Sequence, residues 1–285
     1  MFNPSTHSLV LRACNEDMSS KNNFKWPTSG VVECPDWDPV PECGNGLHGW
    51  LYGHGDGSAN DYWAENDKWL VVSVETSTIV RLDGKVKFQK GDVLFCGDRK
   101  SATDFLMKHE PRSLKQHIIG AFVTVGDNQT ATTGYKGTSN SGNLGISISS
   151  DDGTSTSGNY GTSTSGNYGT STSGNYGISI SSNLGKSISG DNGTSISSIL
   201  GISTSGDYGT SISSDYGTST SGERGTSTSG ERGKSKSGAN GIIQIKYFDK
   251  NDYKDKIKTG YIGEDGLEPD TFYKLDDNFN FIKCD

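Results

Sequence analysis

The sequence predicts a mainly β protein in three parts: a small α+β N-terminal domain over 1–120, a β-solenoid of octapeptide units over 121–248, and a short β C-terminal cap over 249–285. Three observations predict it. Glycine falls at 137, 145, 153 and every eighth position to Gly241. Serine follows two and four residues after each of those glycines as far as Gly233. All five tryptophans and every histidine lie before residue 121, so the chain changes character where the repeats begin. A fixed short period of strand formers closed by a turn marks a stacked array, in which each unit buries itself against its neighbours. A Gly, Ser and Thr composition alone would suggest a linker, but linkers keep no register.

In the N-terminal part, Ser8–Cys14, Trp69–Glu75 and Asp92–Cys96 read as strands. Thr78–Leu82 and Lys85–Phe88 flank an Asp83-Gly84 turn, a strong hairpin cue. Ser101 or Thr103 is positioned to cap a short helix that runs to Lys108 and stops before Pro111. The Pro- and Gly-rich stretch Trp26–Trp63 reads as loop-rich. After the array, Ile242–Phe248, Thr271–Leu275 and Phe279–Lys283 read as strands.

Within each unit the residues alternate between two faces. Thr, Ile, Lys and Asn occupy the first and third positions after glycine, and Ser alone occupies the second and fourth. The flanking units carry Val123, Val125, Ala131, Ile243 and Ile245 at the serine positions, whereas lysines 186, 234 and 236 fall on the other face. Burying those lysines would be costly, so the serines are expected inside, with Thr, Ile and Lys outside. A variant ending Ile-Ser-Ser occurs in the units at Gly145, Gly177, Gly193 and Gly209, always on alternate units. That predicts two units per coil and two parallel sheets, about 38 Å long at ~4.8 Å per strand. One outer face then carries Ile146, Ile148, Ile178, Ile180, Ile196 and Ile212 with no lysine. Such a face is expected to seat a sister subunit or another protein partner.

The formal charge of −8 lies mostly outside the array, and a near-neutral rod is a poor nucleic-acid binder. Arg12, Glu16 and Asp17 interrupt any apolar core of a signal peptide, and the longest apolar stretches fall short of the ~20 residues of a membrane span. Cysteines 14, 34, 43, 96 and 284 make an odd number, consistent with synthesis in a reducing compartment. The chemically richest stretch runs from Cys43 through His48 to Asp56. Cys34, Cys43, His48 and His54 are of the ligand types that hold zinc, although their spacing matches no standard module. Cys43 with His48 could form a nucleophile–base pair oriented by Asp56 or Glu75; a hydrogen-bonded scaffold role for His48 is the simpler alternative. Gly44-Asn-Gly46 lacks a preceding strand and a following helix, so no phosphate loop and no cofactor is implied.

The segments Glu42-Cys43-Gly-Asn-Gly-Leu-His48-Gly, Trp69-Leu-Val-Val-Ser-Val74 and Lys85-Val-Lys-Phe-Gln-Lys-Gly-Asp-Val-Leu94 resemble an uncharacterised domain of bacteriophage, prophage and giant-virus proteins, carried in front of short tandem repeats. Leu267-Glu-Pro-Asp-Thr-Phe-Tyr-Lys-Leu275 resembles the ending of those proteins. The resemblance implies a viral context, with synthesis in a host cytoplasm and packaging in the virion left open, and it brings no catalytic residues. The array is similar in pattern to the β-rolls of trimeric adhesin heads and, through Thr-x-Thr, to insect antifreeze solenoids. Three functions follow as expectations: a viral structural or interaction rod, an enzyme or metal site around Cys43, His48 and His54, or an ice-binding solenoid.

Overall fold

A computed structural model describes residues 2–284. The chain divides into two units. One comprises residues up to Phe122 together with Thr133–Gly137; the other comprises Val123–Thr132 and the chain from Thr138 onward.

The N-terminal unit is built on a seven-stranded antiparallel sheet. Its strands are β1 (His7–Cys14), β2 (Gly30–Glu33), β3 (Leu47–Leu51), β4 (Lys68–Glu75), β5 (Val80–Leu82), β6 (Lys85–Phe88) and β7 (Lys90–Gly97), in the order β2-β7-β4-β1-β3-β6-β5. The central pair β1 and β4 is covered on both faces, and Leu9, Val10, Leu11, Leu70, Val71 and Val72 are fully buried. One helix, α1 (Arg99–His109), packs against it. Its cap differs from expectation: Asp98, not Ser101 or Thr103, occupies the N-cap and accepts from the Ser101 N–H. A carboxylate competes well there, next to the helix dipole. The strand expected from Thr78 begins at Val80, because Thr76–Thr78 form a 3-10 turn.

The loop-rich stretch Trp26–Trp63 also contains the strands β2 and β3. Gly49 is the reason that β3 hides in the sequence. A Cβ there would lie 2.5 Å from Val10 Cγ1 and 2.6 Å from the Leu11 carbonyl oxygen. This glycine permits close strand packing rather than a turn.

The array forms two parallel sheets, one of nine strands and one of ten, each completed by antiparallel strands from the C-terminal region. Every array pairing advances by one coil of two units, as in Thr154↔Thr170 on one sheet and Thr162↔Ile178 on the other. The serines point inward: Ser139, Ser147, Ser155, Ser163 and Ser171 are all fully buried. Only a small side chain fits between sheets this close, and each Oγ needs a partner once it is dry. Ser155 donates to the Thr164 carbonyl at 2.8 Å and Ser203 to the Ile212 carbonyl at 2.5 Å, so hydroxyls tie one sheet to the other. Several serines at the fourth position after glycine, among them Ser149, Ser157 and Ser173, have no partner for Oγ among the described residues.

The periodic glycine has a steric cause. A Cβ on Gly153 would lie 2.6 Å from the Ser149 Cβ, closer than any side chain tolerates. The residue before it takes a left-handed conformation in every unit, for example Tyr160 at φ 57° and Tyr176 at φ 58°. Asn and Asp side chains stack along the turns: the Asn159 N–H donates to Asn143 Oδ1 and the Asn175 N–H to Asn159 Oδ1, both at 2.9 Å.

The last coil exchanges serine for Ile243 and Ile245, which are buried. A strand not expected from the sequence, Lys254–Tyr261, pairs antiparallel along the whole of Ile242–Asp249. Tyr273 pairs with Ser235 on the other sheet, and Ile243, Ile262, Leu267 and Tyr273 close an apolar plug. An open parallel edge would otherwise present a row of unpaired N–H and C=O groups.

Candidate functional site

The outward faces of the two sheets differ. On the nine-stranded sheet the outward residues from Thr130 to Ile242 are all Thr or Ile, in strict sixteen-residue register, and no charge interrupts them. This sheet holds all six isoleucines singled out in the sequence. Ile146, Ile178 and Ile212 are exposed, while Ile148, Ile180 and Ile196 are half-buried between neighbouring rungs. The other sheet places Thr154 and Thr156 beside Thr170 and Thr172, but Lys186 follows on the next rung. Near its end Lys234 and Lys236 lie over the Phe272 ring, at 4.9 and 4.7 Å from its centre.

β-branched side chains hold one preferred χ1, and each Thr offers a methyl and a hydroxyl side by side. On a parallel sheet these groups repeat at ~4.8 Å between strands and at roughly 6.6 Å along a strand. The result is a rigid two-dimensional lattice of methyls and hydroxyls. It can order water without first paying to order itself.

The second candidate region is a cavity of about 360 Å³ in the N-terminal unit, lined by Arg12, Trp26, Cys34, Cys43, His48, Tyr62 and Lys85 among others. His48 sits on β3, where burial first, and then the nearby cations Lys85, Arg12 and Lys87, push its pKa down to about 4. Its Nε2 is buried with no partner among the described residues. A ring this reluctant to take a proton is a weak general base at neutral pH. Cys34 donates its S–H to Asp36 Oδ1 at 2.9 Å, and burial pushes its thiol pKa up. Cys43 is exposed and accepts from Lys85 Nζ at 3.1 Å. His54 lines a different depression, with Nε2 2.7 Å from the Ser113 carbonyl oxygen. Asp56 Oδ1 receives the Ser58 N–H and hydroxyl, and Glu75 Oε1 receives the Ser77 hydroxyl. Among the described residues no group of three or more His, Cys, Asp or Glu is placed to hold a metal. Arg12, Trp26, Tyr62 and Lys87 were not legible as site residues, being scattered along the sequence without a motif.

No helix among the described residues is long and apolar enough to cross a membrane. Residues 8–105 match the family model described as a domain of unknown function (DUF7666), which therefore precedes the tandem repeats in this chain. Curated relatives include the ice nucleation protein InaU of Pantoea ananas, 35% identical over 103 residues, which are 35% of this chain and 10% of that protein. An ice nucleation protein of Enterobacter agglomerans is 35% identical over 103 residues, 35% of this chain and 8% of that protein. One of Pseudomonas syringae is 37% identical over 101 residues, 35% of this chain and 9% of that protein. The matched region thus spans about a tenth or less of each relative's length. No solved structure matches the chain. The phage and giant-virus context expected from the sequence gains no support from these relatives, which are bacterial proteins.

Proposed function

We propose that the array is an ice-binding solenoid, and that the nine-stranded sheet is the surface that meets ice. The observation that carries this reading is the unbroken Thr/Ile lattice on that sheet, in register from coil to coil. Charged groups hold their own hydration shells and would break an ice-like water layer; this face has none along its array coils, whereas the other face has three lysines. The similarity to proteins named for ice nucleation supports the same reading. The area that templates water rises with the number of coils. An array of this length is therefore suited to binding and shaping ice crystals more than to strong nucleation.

The test is a thermal hysteresis and ice-shaping assay on the purified chain, with droplet freezing alongside. Wild type should shape ice crystals. Thr164→Lys and Ile180→Lys, on the lattice, should remove the effect at unchanged melting temperature. Thr156→Lys, on the opposite sheet, should leave most of it. Wild type without hysteresis or shaping at millimolar concentration would refute the proposal.

A second reading rests on the exposure of Ile146 and Ile178, 43% and 42%, on a face without charge. Such a surface would also seat a second copy of the chain. Light scattering separates the two, because a docked face predicts a dimer that Ile180→Lys dissolves, while an ice face predicts a monomer at low temperature.

A further inference from the structure

Arg12 lies in the middle of the central strand β1, and its guanidinium has no hydrogen-bond acceptor and no carboxylate among the described residues. The contrast with Arg112 is direct. Arg112 binds Glu110 through Nε and Nη2, both at 2.6 Å, and donates to the His7 carbonyl. Arg12 instead touches the Trp26 and Tyr62 rings, each centred 5.5 Å from its guanidinium carbon, contacts that satisfy none of its N–H donors. Its Nε is sealed from solvent, and burial lowers its pKa.

Two further cations stand near His48. Lys85 and Lys87 join Arg12 in disfavouring a proton on His48. Lys87 is only 1% exposed, and its nearest acceptor is the Gly44 carbonyl at 3.4 Å. The acids that line the same cavity are engaged elsewhere: Asp36 by the Cys34 thiol, Asp56 by Ser58, and Asp61 by Lys21. Arg12 is half-buried, with Nε sealed and the rest of the guanidinium lining the cavity, so its charge is partly desolvated without a protein counter-ion, which is costly for a fold to keep.

We propose that this cavity binds a small organic oxyanion carried on a planar ring, with the oxyanion on Arg12 and the ring against Trp26 and Tyr62. Guanidinium presents paired donors that match carboxylate and phosphate oxygens, and the charge-assisted bond supplies the missing counter-ion. The half-buried Phe24, stacked edge-on with Trp26 at 5.6 Å, and the buried Trp50 extend the apolar wall. The His48 ring borders the same cavity, its Nε2 sealed from solvent and unpartnered among the described residues. A cavity of about 360 Å³ suits a small molecule and not a polymer. This site is independent of the ice-binding array.

The probes are benzoate, adenosine 5′-monophosphate, inorganic phosphate and neutral benzamide, titrated into the full chain by calorimetry and tryptophan fluorescence. Benzoate or the nucleotide should bind below millimolar, more weakly in high salt, and whichever binds identifies the head group. Benzamide and inorganic phosphate should bind at least about tenfold more weakly, since each lacks one half of the recognition. Arg12→Met should abolish binding while the melting temperature stays nearly level, because a half-buried charge without a protein counter-ion is replaced by an apolar chain of similar shape. Lys85→Gln, at the cavity rim, should weaken binding with the fold intact, and it decides the matter if Arg12→Met fails to fold. Failure of both ring-bearing anions to bind, equal binding of benzamide or phosphate, or wild-type affinity in either variant overturns the proposal.

Discussion

The Oγ of Ser187 donates to the Ile196 carbonyl 2.6 Å away, and so joins one sheet of the array to the other. Repeated up the coil, this bond makes a dry polar core out of a residue that contributes little hydrophobic driving force. The flat outer lattice depends on it, because the two sheets are held at serine distance along their length.

The buried serines are not equally well partnered. Ser187 has two partners, the Ile196 carbonyl and Ser181, whereas the buried Ser173 hydroxyl has none among the described residues. Ser187→Ala should cost about 1–2 kcal/mol, and Ser173→Ala should be neutral or stabilising, since it removes an orphaned polar group. Thermal melts of the two variants decide it; equal losses would show that both hydroxyls are bonded.

Volume gives a second contrast. Ser171 is fully buried, and its Oγ lies 2.5 Å from the Ile180 carbonyl oxygen, so Ser171→Leu has nowhere to place its extra atoms. Overpacking of this kind costs about 1–3 kcal/mol or more. Thr170, one residue away, faces out, and Thr170→Leu should stay within about ±0.5 kcal/mol. Chemical denaturation followed by circular dichroism reads both, and a larger loss for Thr170→Leu would invert the orientation of the sheets.

His48 makes stability pH-dependent in a defined window. Its pKa falls from the ordinary value near 6.5 to about 4 on folding, so the unfolded chain binds the extra proton between those values. Stability rises with pH wherever the unfolded state holds more protons. The contribution is therefore complete above about pH 6.5 and is lost as pH falls towards 4. Allowing for the solvent that reaches the ring, it amounts to on the order of 1–2 kcal/mol. Asp56 and Asp98, held low by hydrogen bonds to Ser58 and Ser101, lose their contributions only below 3.8, outside that window. Urea titrations at pH 7 and pH 4.5 should show a smaller difference for His48→Gln than for wild type. Parallel losses would mean that the ring is not shielded.

The array was legible because its constraint is local and repeated. The inward Ser, the glycine that lets Gly153 pass Ser149, and the two-unit coil each leave a mark at a fixed spacing. The N-terminal unit was legible where local signals are strong: the apolar runs of β1 and β4, the Asp83-Gly84 hairpin before Lys85–Phe88, and the helix that stops before Pro111. β3 was missed because Gly49 reads as a turn until Val10 and Leu11 are placed against it. Lys254–Tyr261 was missed because its pairing with Ile242–Asp249 leaves it almost wholly solvent-facing, without an apolar stripe. The Arg12 cavity was legible only in part: Cys34, Cys43 and His48, singled out in the sequence, line it, but Arg12 itself was not recognised. In sequence Arg12 is only a charge that interrupts an apolar run, and its neighbours Trp26, His48, Tyr62 and Lys85 meet it through tertiary pairing.

The serine variant of the turn, which first suggested two units per coil, weakens the side-chain ladder. Gly174 lies over Asn159, and a Cβ there would fall 2.3 Å from Asn159 Oδ1, the atom that accepts the Asn175 N–H at 2.9 Å. Ser182 occupies the equivalent place over Asn167, and the corresponding bond, Asn183 N–H to Asn167 Oδ1, is stretched to 3.2 Å. Gly174→Ser should therefore displace the Asn159 acceptor and cost about 1–2 kcal/mol. Ser182→Gly gains a shorter bond but frees the unfolded backbone, so the two effects offset to within about ±0.5 kcal/mol. Melting temperatures test the pair. A Gly174→Ser rod as stable as wild type would mean that the ladder contributes nothing to the stacking of coils, and that the sheets alone set the spacing of the outer lattice.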